Sequence, residues 1–312
     1  MDSELQFIRD LTKQLKVRPP VEVGIGDDGA VLRLQSSDRQ VVVTDMLLDG
    51  IHFDLKTTSP ELAGRKAVAV NLSDLAAMGC RPTAAFVSIA VPFSISGGQT
   101  EFLRRLYDGI RTISEEFSFT IAGGDTNSWN GPFAINVCLT GEPFAEREAL
   151  RSEARPGDFI FVTGRLGGSL RNQRHLTFRP HLVESEWLMK SGHVHAMMDI
   201  SDGLAIDLHR LLEASHVGAI IDAAAIPIHD DVDPIAAPEQ RLQSALSDGE
   251  DFVLLVTASP DSLIDQTKAA EENQFFLRKI GEITSGRECL IRDSQHRTAP
   301  LPVTGWQHQI RD

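Results

Sequence analysis

A mostly apolar stretch of small side chains, residues 70–79, constrains the fold most, because it contains a single charged residue, Asp74. Ser59–Glu61 predicts the start of a helix that runs into this stretch, since serine caps helices, proline suits the first helical position and an acid complements the helix dipole. Gly79 predicts its end. We expect most of this helix in the core. Asp74 is then either a surface acid near the helix end or a carboxylate whose charge a cation or a proton compensates.

The length of the chain and the order of its predicted elements favour two domains. A single hydrophobic core seldom serves 312 residues. Predicted strands and helices alternate in both halves, which favours an α/β or α+β fold. A run of Glu, Pro and Arg residues interrupts this alternation at 142–157. We therefore predict domains at residues 1–148 and 149–312.

Charge and composition argue against several classes of protein. The chain has 44 acidic and 30 basic residues and a net charge of −14, which disfavours a nucleic-acid partner. No window of 18 uncharged apolar residues predicts a membrane span, and the N-terminus does not resemble a secretory signal. Three cysteines are scattered without ligand spacing. We expect a cytoplasmic protein with reduced thiols and no membrane partner.

Aspartates recur at predicted strand ends, in glycine turns or in apolar surroundings. They are Asp27, Asp28, Asp45, Asp74, Asp125, Asp199 and Asp202. If they converge, each close pair repels by about 1–4 kcal/mol near a surface, so that cations must fill the cluster. Oxygen ligands of this kind favour Mg²⁺, which usually shares its remaining positions with water and substrate phosphates. The alternative is that Asp and Gly are frequent because turns require them.

An ordered set of motifs runs through nearly the whole chain. It comprises Gly24–Asp28, Thr44–Asp45, His52–Phe53, Asn71–Gly79, Gly123–Thr126, Asp199–Leu204 and Gly249–Phe252. In this order the motifs resemble the thiamine-monophosphate kinase family, of the superfamily that includes aminoimidazole ribonucleotide synthetase. Each motif alone is weakly specific, whereas the ordered set is highly specific.

The resemblance implies a fold and an activity. The fold is a two-domain synthetase-like α/β (α+β) structure, with an N-terminal sheet domain for ATP, magnesium and dimerisation and a C-terminal α/β domain. Two N-terminal domains pair their sheets into a barrel-like homodimer, with the nucleotide near that interface. The activity is transfer of the ATP γ-phosphoryl group to thiamine phosphate with several Mg²⁺ ions, giving thiamine diphosphate and ADP.

The resemblance also implies roles for individual residues. The positions that match magnesium ligands are Asp28, Thr44, Asp45, Asp74, Asp125, Asp199 and Asp202. The positions that match nucleotide contacts are Tyr107, Gly124, Asp125, Arg147 and Ser201. The positions that match contacts to thiamine phosphate are His52, Glu250 and Trp306. A carboxylate and an aromatic ring both suit a cationic heterocycle.

The mechanism that fits these residues is direct in-line transfer. The acceptor is a phosphate monoester that is already largely ionised at neutral pH, since its second pKa is about 6. It therefore needs no general base, and the sequence offers no nucleophile that would form a phospho-enzyme. Alignment by the protein and charge neutralisation by metal ions carry the reaction.

Departures from the family pattern leave alternatives open. Val43 stands where the family usually has a serine, the segment 164–181 is short, and Asp248 stands where glycine is common. One alternative is another ATP-using member of the superfamily. Selenophosphate synthetases have a reactive cysteine or selenocysteine near a glycine-rich N-terminus, and the hydrogenase-maturation protein has a cysteine-bearing C-terminal tail. This sequence has neither feature. The other alternative is a non-catalytic homologue that binds nucleotide or thiamine phosphate.

Overall fold

A mostly antiparallel sheet forms the first half of the chain in the computed structural model, which describes residues 21–23, 30–33, 39–260 and 275–307. Its strands are β1 (Val21–Val23), β2 (Ala30–Arg33), β3 (Arg39–Leu48), β4 (Cys80–Pro92), β5 (Thr120–Trp129) and β6 (Ala134–Pro143). Their order is β1-β2-β3-β6-β4-β5. β4 and β5 are parallel, and the other neighbours are antiparallel. Helices α1 (Pro60–Ala77) and α2 (Gln99–Glu116) belong to the same half.

The second half contains a seven-stranded sheet. Its strands are β7 (Phe159–Val162), β8 (Val194–Asp199), β9 (Gly218–Asp222), β10 (Leu254–Ala258), β11 (Arg278–Thr284), β12 (Cys289–Arg292) and β13 (Thr298–Pro300), in the order β13-β12-β9-β11-β7-β10-β8. Its helices are α3 (Arg174–Thr177), α4 (Leu182–Ser191), α5 (Leu204–Ser215) and α6 (Pro238–Ser247). The mixed α/β class is therefore confirmed, whereas the domain boundary at 148/149 stays a prediction. None of the described helices is both long and apolar enough to cross a bilayer.

Helix α1 lies between the two halves and explains its own composition. It begins as predicted, with the Ser59 hydroxyl accepting from the Leu62 amide at 3.3 Å and Pro60 in the first turn. On one side it contacts β3, β4, β6 and α2, and on the other β8, β10, α3 and α4. Thirteen of its residues are buried. A helix covered on all sides has no continuous polar face to keep, so most of its residues are apolar or small, and the few polar ones, such as Lys66 and Asn71, are buried among them.

Two glycines let α1 and α2 cross in close contact. A Cβ atom on Gly64 would lie 2.3 Å from the Leu106 carbonyl oxygen, and one on Gly109 would lie 2.0 Å from the Glu61 carbonyl oxygen. Both contacts are with helix backbone, which cannot move aside like the end of a side chain. The pair therefore sets the distance between α1 and α2.

We expect Gly109→Ala to lower the free energy of unfolding by about 1–3 kcal/mol, as overpacking does. Helix propensity alone would favour alanine by about 1 kcal/mol, so the sign of the change tests the close contact. Urea unfolding curves measure it. Gly286→Ala is the control, because the nearest atom to its added Cβ is 3.8 Å away. Equal or greater stability of Gly109→Ala would contradict the packing described here.

The structure corrects the predicted strand ends. Asp45 and Asp125 were expected to follow strands, but both lie inside longer ones, β3 and β5. The reason is tertiary pairing, since β3 continues beside β6 as far as Leu48, and β5 continues beside β4 as far as Trp129. Strands β12 and β13 and helix α3 were not anticipated. The sequence also predicts a helix within residues 1–20 and another at 260–272. The first of these, nearly all of the second, and the acidic turn 24–29 lie outside the described residues.

The first sheet has one covered and one open face. Val41, Val43 and Leu47 of β3 are buried against the helices, whereas Thr44 and Met46 alternate with them and are exposed. Val43, which differs from the family pattern, therefore belongs to the core. Asp45 points to the same face as Val43 and Leu47, and it lies where that face meets the second half.

Candidate active site between the two halves

A cavity of about 490 Å³ lies between the two halves of the chain. It is lined by β3 and the loop after it, by α1, by Leu170 and the short helix α3, and by residues that follow β8 and precede β10 in the second sheet. The lining residues are Asp45, Met46, Leu47, Gly50, Ile51, His52, Phe53, Asp54, Lys66, Val70, Asp74, Leu170, His175, Asp199, Ser201, Asp202, Asp248, Glu250, Phe252 and Trp306. Eight of the predicted site residues are among them.

Four of the predicted metal ligands share this cavity. Asp45 comes from β3, Asp74 from α1, Asp199 from the end of β8, and Asp202 from the turn before α5. Asp199 is buried, and its Oδ2 accepts a hydrogen bond from the Ser73 hydroxyl at 2.6 Å. Within the described ranges, no three His, Cys, Asp or Glu side chains are close enough together to enclose a metal ion by themselves. The carboxylates therefore surround an open space rather than a closed ligand cage.

Asp202 is held by a buried network that the sequence did not indicate. Its side chain accepts from Arg210 at 2.5 Å, and Arg210 also donates to Asp207 at 2.7 Å. Asp207 is fully buried and accepts from the amides of Asp202 and Gly203. Burial, and after it the neighbouring Asp202, raise the pKa of the Asp207 carboxyl. This network fixes the turn 200–203 at the end of β8.

Residues 249–252 wrap against that same turn with an unusual backbone. Gly249, Glu250 and Phe252 all have positive φ angles, of 74°, 53° and 52°. For residues other than glycine this conformation is strained and persists only where neighbours impose it. The Glu250 amide donates to the Ser201 carbonyl at 2.6 Å, and the Phe252 amide donates to the Ile200 carbonyl at 2.8 Å. These bonds direct the Glu250 side chain into the cavity.

Asp251 ties the glycine-rich turn 164–168 to the site. Its two carboxylate oxygens accept from the Gly167 amide at 3.0 and 2.9 Å, and Oδ1 also accepts from Arg174 at 3.0 Å. Burial raises the pKa of this carboxyl to about 6, because its effect exceeds the opposite effects of the Gly167 amide and of Arg174. His175, on the same short helix α3, lines the cavity, and burial lowers the pKa of its imidazole. Neither His175 nor Arg174 was predicted as a site residue.

Lys66 is the residue that sequence reasoning missed most clearly. It is fully buried in α1, and its ammonium donates to both carboxylate oxygens of Glu250, at 2.8 and 2.7 Å, and to the His52 carbonyl oxygen at 2.7 Å. Burial lowers its pKa, and Glu250 opposes that shift. A lysine directly before the apolar run Ala67–Val70 was the available signal.

The loop after β3 brings His52 to the same end of the cavity. The Leu48 amide donates to His52 Nδ1 at 2.9 Å, so the neutral ring carries its proton on Nε2. Trp306 also lines the cavity and is half exposed, and its amide donates to the Asp202 carbonyl at 2.9 Å. With Ile51 and Leu170, which are also more than half exposed, it forms an apolar rim.

Several predicted site residues do not line the cavity. Thr44 lies on the open face of the first sheet, where its hydroxyl accepts from Asn136 at 3.1 Å. Asp125 lies on the same face in β5 and accepts from the Thr126 amide and from Asn127. A Cβ on Gly124 would lie 1.9 Å from the Val87 carbonyl oxygen, so glycine is needed for strand pairing there.

Two further predicted nucleotide contacts are engaged within the protein. Tyr107 is partly buried on α2, where it packs against the core. Arg147 forms an ion pair with Glu153 in the segment between the sheets. Asp28 lies outside the described residues.

Comparison with known proteins places these features in a family. Models of the AIR synthase related protein match over residues 26–142 for the N-terminal domain and 144–293 for the C-terminal domain. A thiamine-monophosphate kinase of Rhodopirellula baltica is 40% identical over 276 residues, which cover 85% of this chain and 84% of that protein. One of Bacillus subtilis is 33% identical over 329 residues, covering 98% and 99%.

Solved structures give the same relationship. The structure described as AaThiL complexed with AMPPCP and TMP matches with a TM-score of 0.81 at 27% identity, over 99% of this chain and 97% of that one. The thiamine-monophosphate kinase of Stenotrophomonas maltophilia K279a matches with a TM-score of 0.74 at 29% identity, over 92% and 95%.

Proposed function

The chain belongs to the thiamine-monophosphate kinases among the AIR synthase related proteins, and from this premise we propose that it transfers the γ-phosphoryl group of ATP to thiamine phosphate. The observation that carries the proposal is one cavity lined by Asp45 and Asp74 from the first half and by Asp199 and Asp202 from the second. Such a site draws ligands from both halves and suits two anionic substrates bridged by cations. The related complex with AMPPCP and TMP supports the same pair of substrates.

Magnesium fits the donor set. Four carboxylates face one space and do not close it, which matches an ion that keeps several water and phosphate oxygens among its ligands. We propose that Asp45, Asp74, Asp199 and Asp202 hold Mg²⁺ in the cavity, with Asp28 as a further ligand, whereas Thr44 and Asp125 lie on the open face of the first sheet and do not share this site. When bound, the ions would neutralise charge that develops on the transferred phosphoryl group.

The remaining cavity residues suit the acceptor. Glu250 and His52 lie at the end where α1 carries Lys66, and the apolar rim with Trp306 suits a flat heterocyclic cation. We propose that thiamine phosphate lies along α1 with its rings at this end and its phosphate toward Asp74. No side chain needs to act as a general base, because the acceptor phosphate is largely ionised at neutral pH.

We also propose a homodimer built on the open face of the first sheet. Met46, Phe86 and Trp129 are 59%, 43% and 44% exposed on β3, β4 and β5, and register places all three on this face. Among the described strands β5 lies at the edge of the sheet, and nearly all of its residues are exposed. An apolar face next to an uncovered edge suits a protein partner. Asp125 and Gly124 lie on β5, so that the nucleotide contacts predicted there would be near the dimer interface.

Turnover by the purified protein tests the proposal. We expect thiamine diphosphate and ADP to form in equal amounts from ATP, Mg²⁺ and thiamine phosphate, with little ADP when thiamine phosphate is omitted. Chromatography of both products measures this. Tight binding of both substrates without product would instead identify a non-catalytic homologue.

A further inference from the structure

The ammonium group of Lys66 has a complete set of partners. A lysine has three N–H donors. Here they are used by Glu250 Oε1 at 2.8 Å, Glu250 Oε2 at 2.7 Å and the His52 carbonyl oxygen at 2.7 Å. The Lys66 side chain is 1% exposed and that of Glu250 is 22% exposed, so Glu250 is the more accessible member of the pair. Lys66 therefore fixes the carboxylate that the cavity presents.

The same contacts join three separate segments of the chain. Lys66 belongs to α1, His52 to the loop after β3, and Glu250 to the strained turn 249–252. Arg65, its neighbour, donates to the Leu176 and Phe178 carbonyl oxygens at 3.4 and 2.7 Å. The Phe178 ring stacks on Phe252 with the centroids 4.2 Å apart. Arg65 and Lys66 of α1 thus hold the segments 176–178 and 249–252 of the second half. Both segments lie at the end of the cavity where we place the rings of thiamine phosphate.

One face of α1 spans the length of the cavity. Lys66, Val70 and Asp74 all line it at intervals of four residues, which places them along one side of the helix. At 1.5 Å per residue, Lys66 and Asp74 are about 12 Å apart along the axis. The residue before Asp74, Ser73, donates to Asp199. A single rigid element therefore sets the separation between the Glu250 end and the carboxylate end.

We propose that Lys66 is a positioning residue that holds Glu250 and the His52 loop for the heterocyclic end of the acceptor. This inference rests on the proposed function, because it concerns the orientation of thiamine phosphate in that site. Lys66 acts through Glu250 and does not itself contact the reacting phosphoryl group. Its loss should therefore weaken acceptor binding much more than nucleotide binding.

Michaelis constants of single and double variants test the proposal. We expect Lys66→Met to raise KM for thiamine phosphate about tenfold or more and KM for ATP less than about twofold. Lys190→Met is the matched control, because Lys190 is 60% exposed and pairs with Glu186 on the surface of α4. That variant should leave both constants unchanged.

The double variant separates positioning from general support of the fold. If Lys66 acts mainly through Glu250, then the KM for thiamine phosphate of Lys66→Met/Glu250→Gln should lie closer to that of Glu250→Gln alone than to the product of the two single effects. This comparison also works if Lys66→Met folds poorly, since the double variant leaves no buried charge unpaired. Equal rises in both KM values, or effects that multiply in the double variant, would overturn the proposal.

The wild-type enzyme distinguishes the two levels of failure. If it makes no thiamine diphosphate, the proposed function fails and this inference falls with it. If it is active and Lys66→Met behaves like Lys190→Met, only the role given to Lys66 is wrong.

Discussion

Asp74→Asn is expected to lower turnover by at least about tenfold while the protein stays folded. The substitution keeps the shape of the side chain and removes the charge with which α1 faces the cavity. Because a weaker metal site is populated only at higher metal concentration, the Mg²⁺ concentration for half-maximal activity should also rise. Initial rates across a Mg²⁺ titration measure both effects.

Asp230→Asn is the matched control for this experiment. Asp230 is an exposed aspartate that does not line the cavity. Its substitution should change neither the rate nor the Mg²⁺ dependence, and thermal unfolding of both variants checks that they remain folded. An unchanged rate and an unchanged Mg²⁺ titration for Asp74→Asn would remove Asp74 from the metal site.

Phe86→Asp is expected to have the largest effect on assembly. Phe86 is 43% exposed on the open face of the first sheet, where its ring lies 3.2 Å from the Cβ position of Gly123. In an apolar interface this substitution removes the apolar area that the Phe86 ring would bury and places a charged carboxylate where water is excluded. We expect the dimer dissociation constant to rise at least about thirtyfold, the effect of an interface hot spot.

The activity per subunit should depend on the fraction of the protein that is dimeric. Since β5 carries Gly124 and Asp125 at the edge of that face, activity per subunit of Phe86→Asp should be low in dilute solution and recover as concentration rises. Sedimentation velocity and rate measurements at matched concentrations test this. Ile235→Asp is the control, because Ile235 is 92% exposed in the second half. A wild-type protein that is monomeric and fully active would contradict the proposed dimer.

The helix at the centre of the fold was predictable because its signals are local. Ser59, Pro60 and Gly79 specify its ends, and the small residues between them indicate burial whatever lies outside. For Asp74 the sequence left two interpretations open, a surface acid or a carboxylate with a compensating cation, and the structure places it on the cavity wall. The structure also supplies the reason for its apolar surroundings, which is that both halves cover the helix.

The rest of the site depends on contacts between distant parts of the chain. Adjacent residues in a strand point to opposite faces, so Thr44 and Asp45 separate although the motif joins them. Which face is covered depends on the helices, since α1 packs on β3 and on β6, which comes some ninety residues after β3 along the chain. Lys66 is similar, since its partners come from the loop after β3 and from the turn at Glu250. No local pattern around Lys66 specifies such partners.

The central claim is that carboxylates from both halves hold divalent ions between two anionic substrates. Anomalous diffraction from crystals grown with Mn²⁺, AMPPCP and thiamine phosphate tests it most directly, because Mn²⁺ binds the same oxygen ligands as Mg²⁺ and can be located by its own signal. We predict manganese peaks within about 2.0–2.3 Å of carboxylate oxygens of Asp74 and of Asp199 or Asp202, next to the nucleotide phosphates. Peaks that avoid all of these carboxylates, with nucleotide and thiamine phosphate bound elsewhere, would contradict the account.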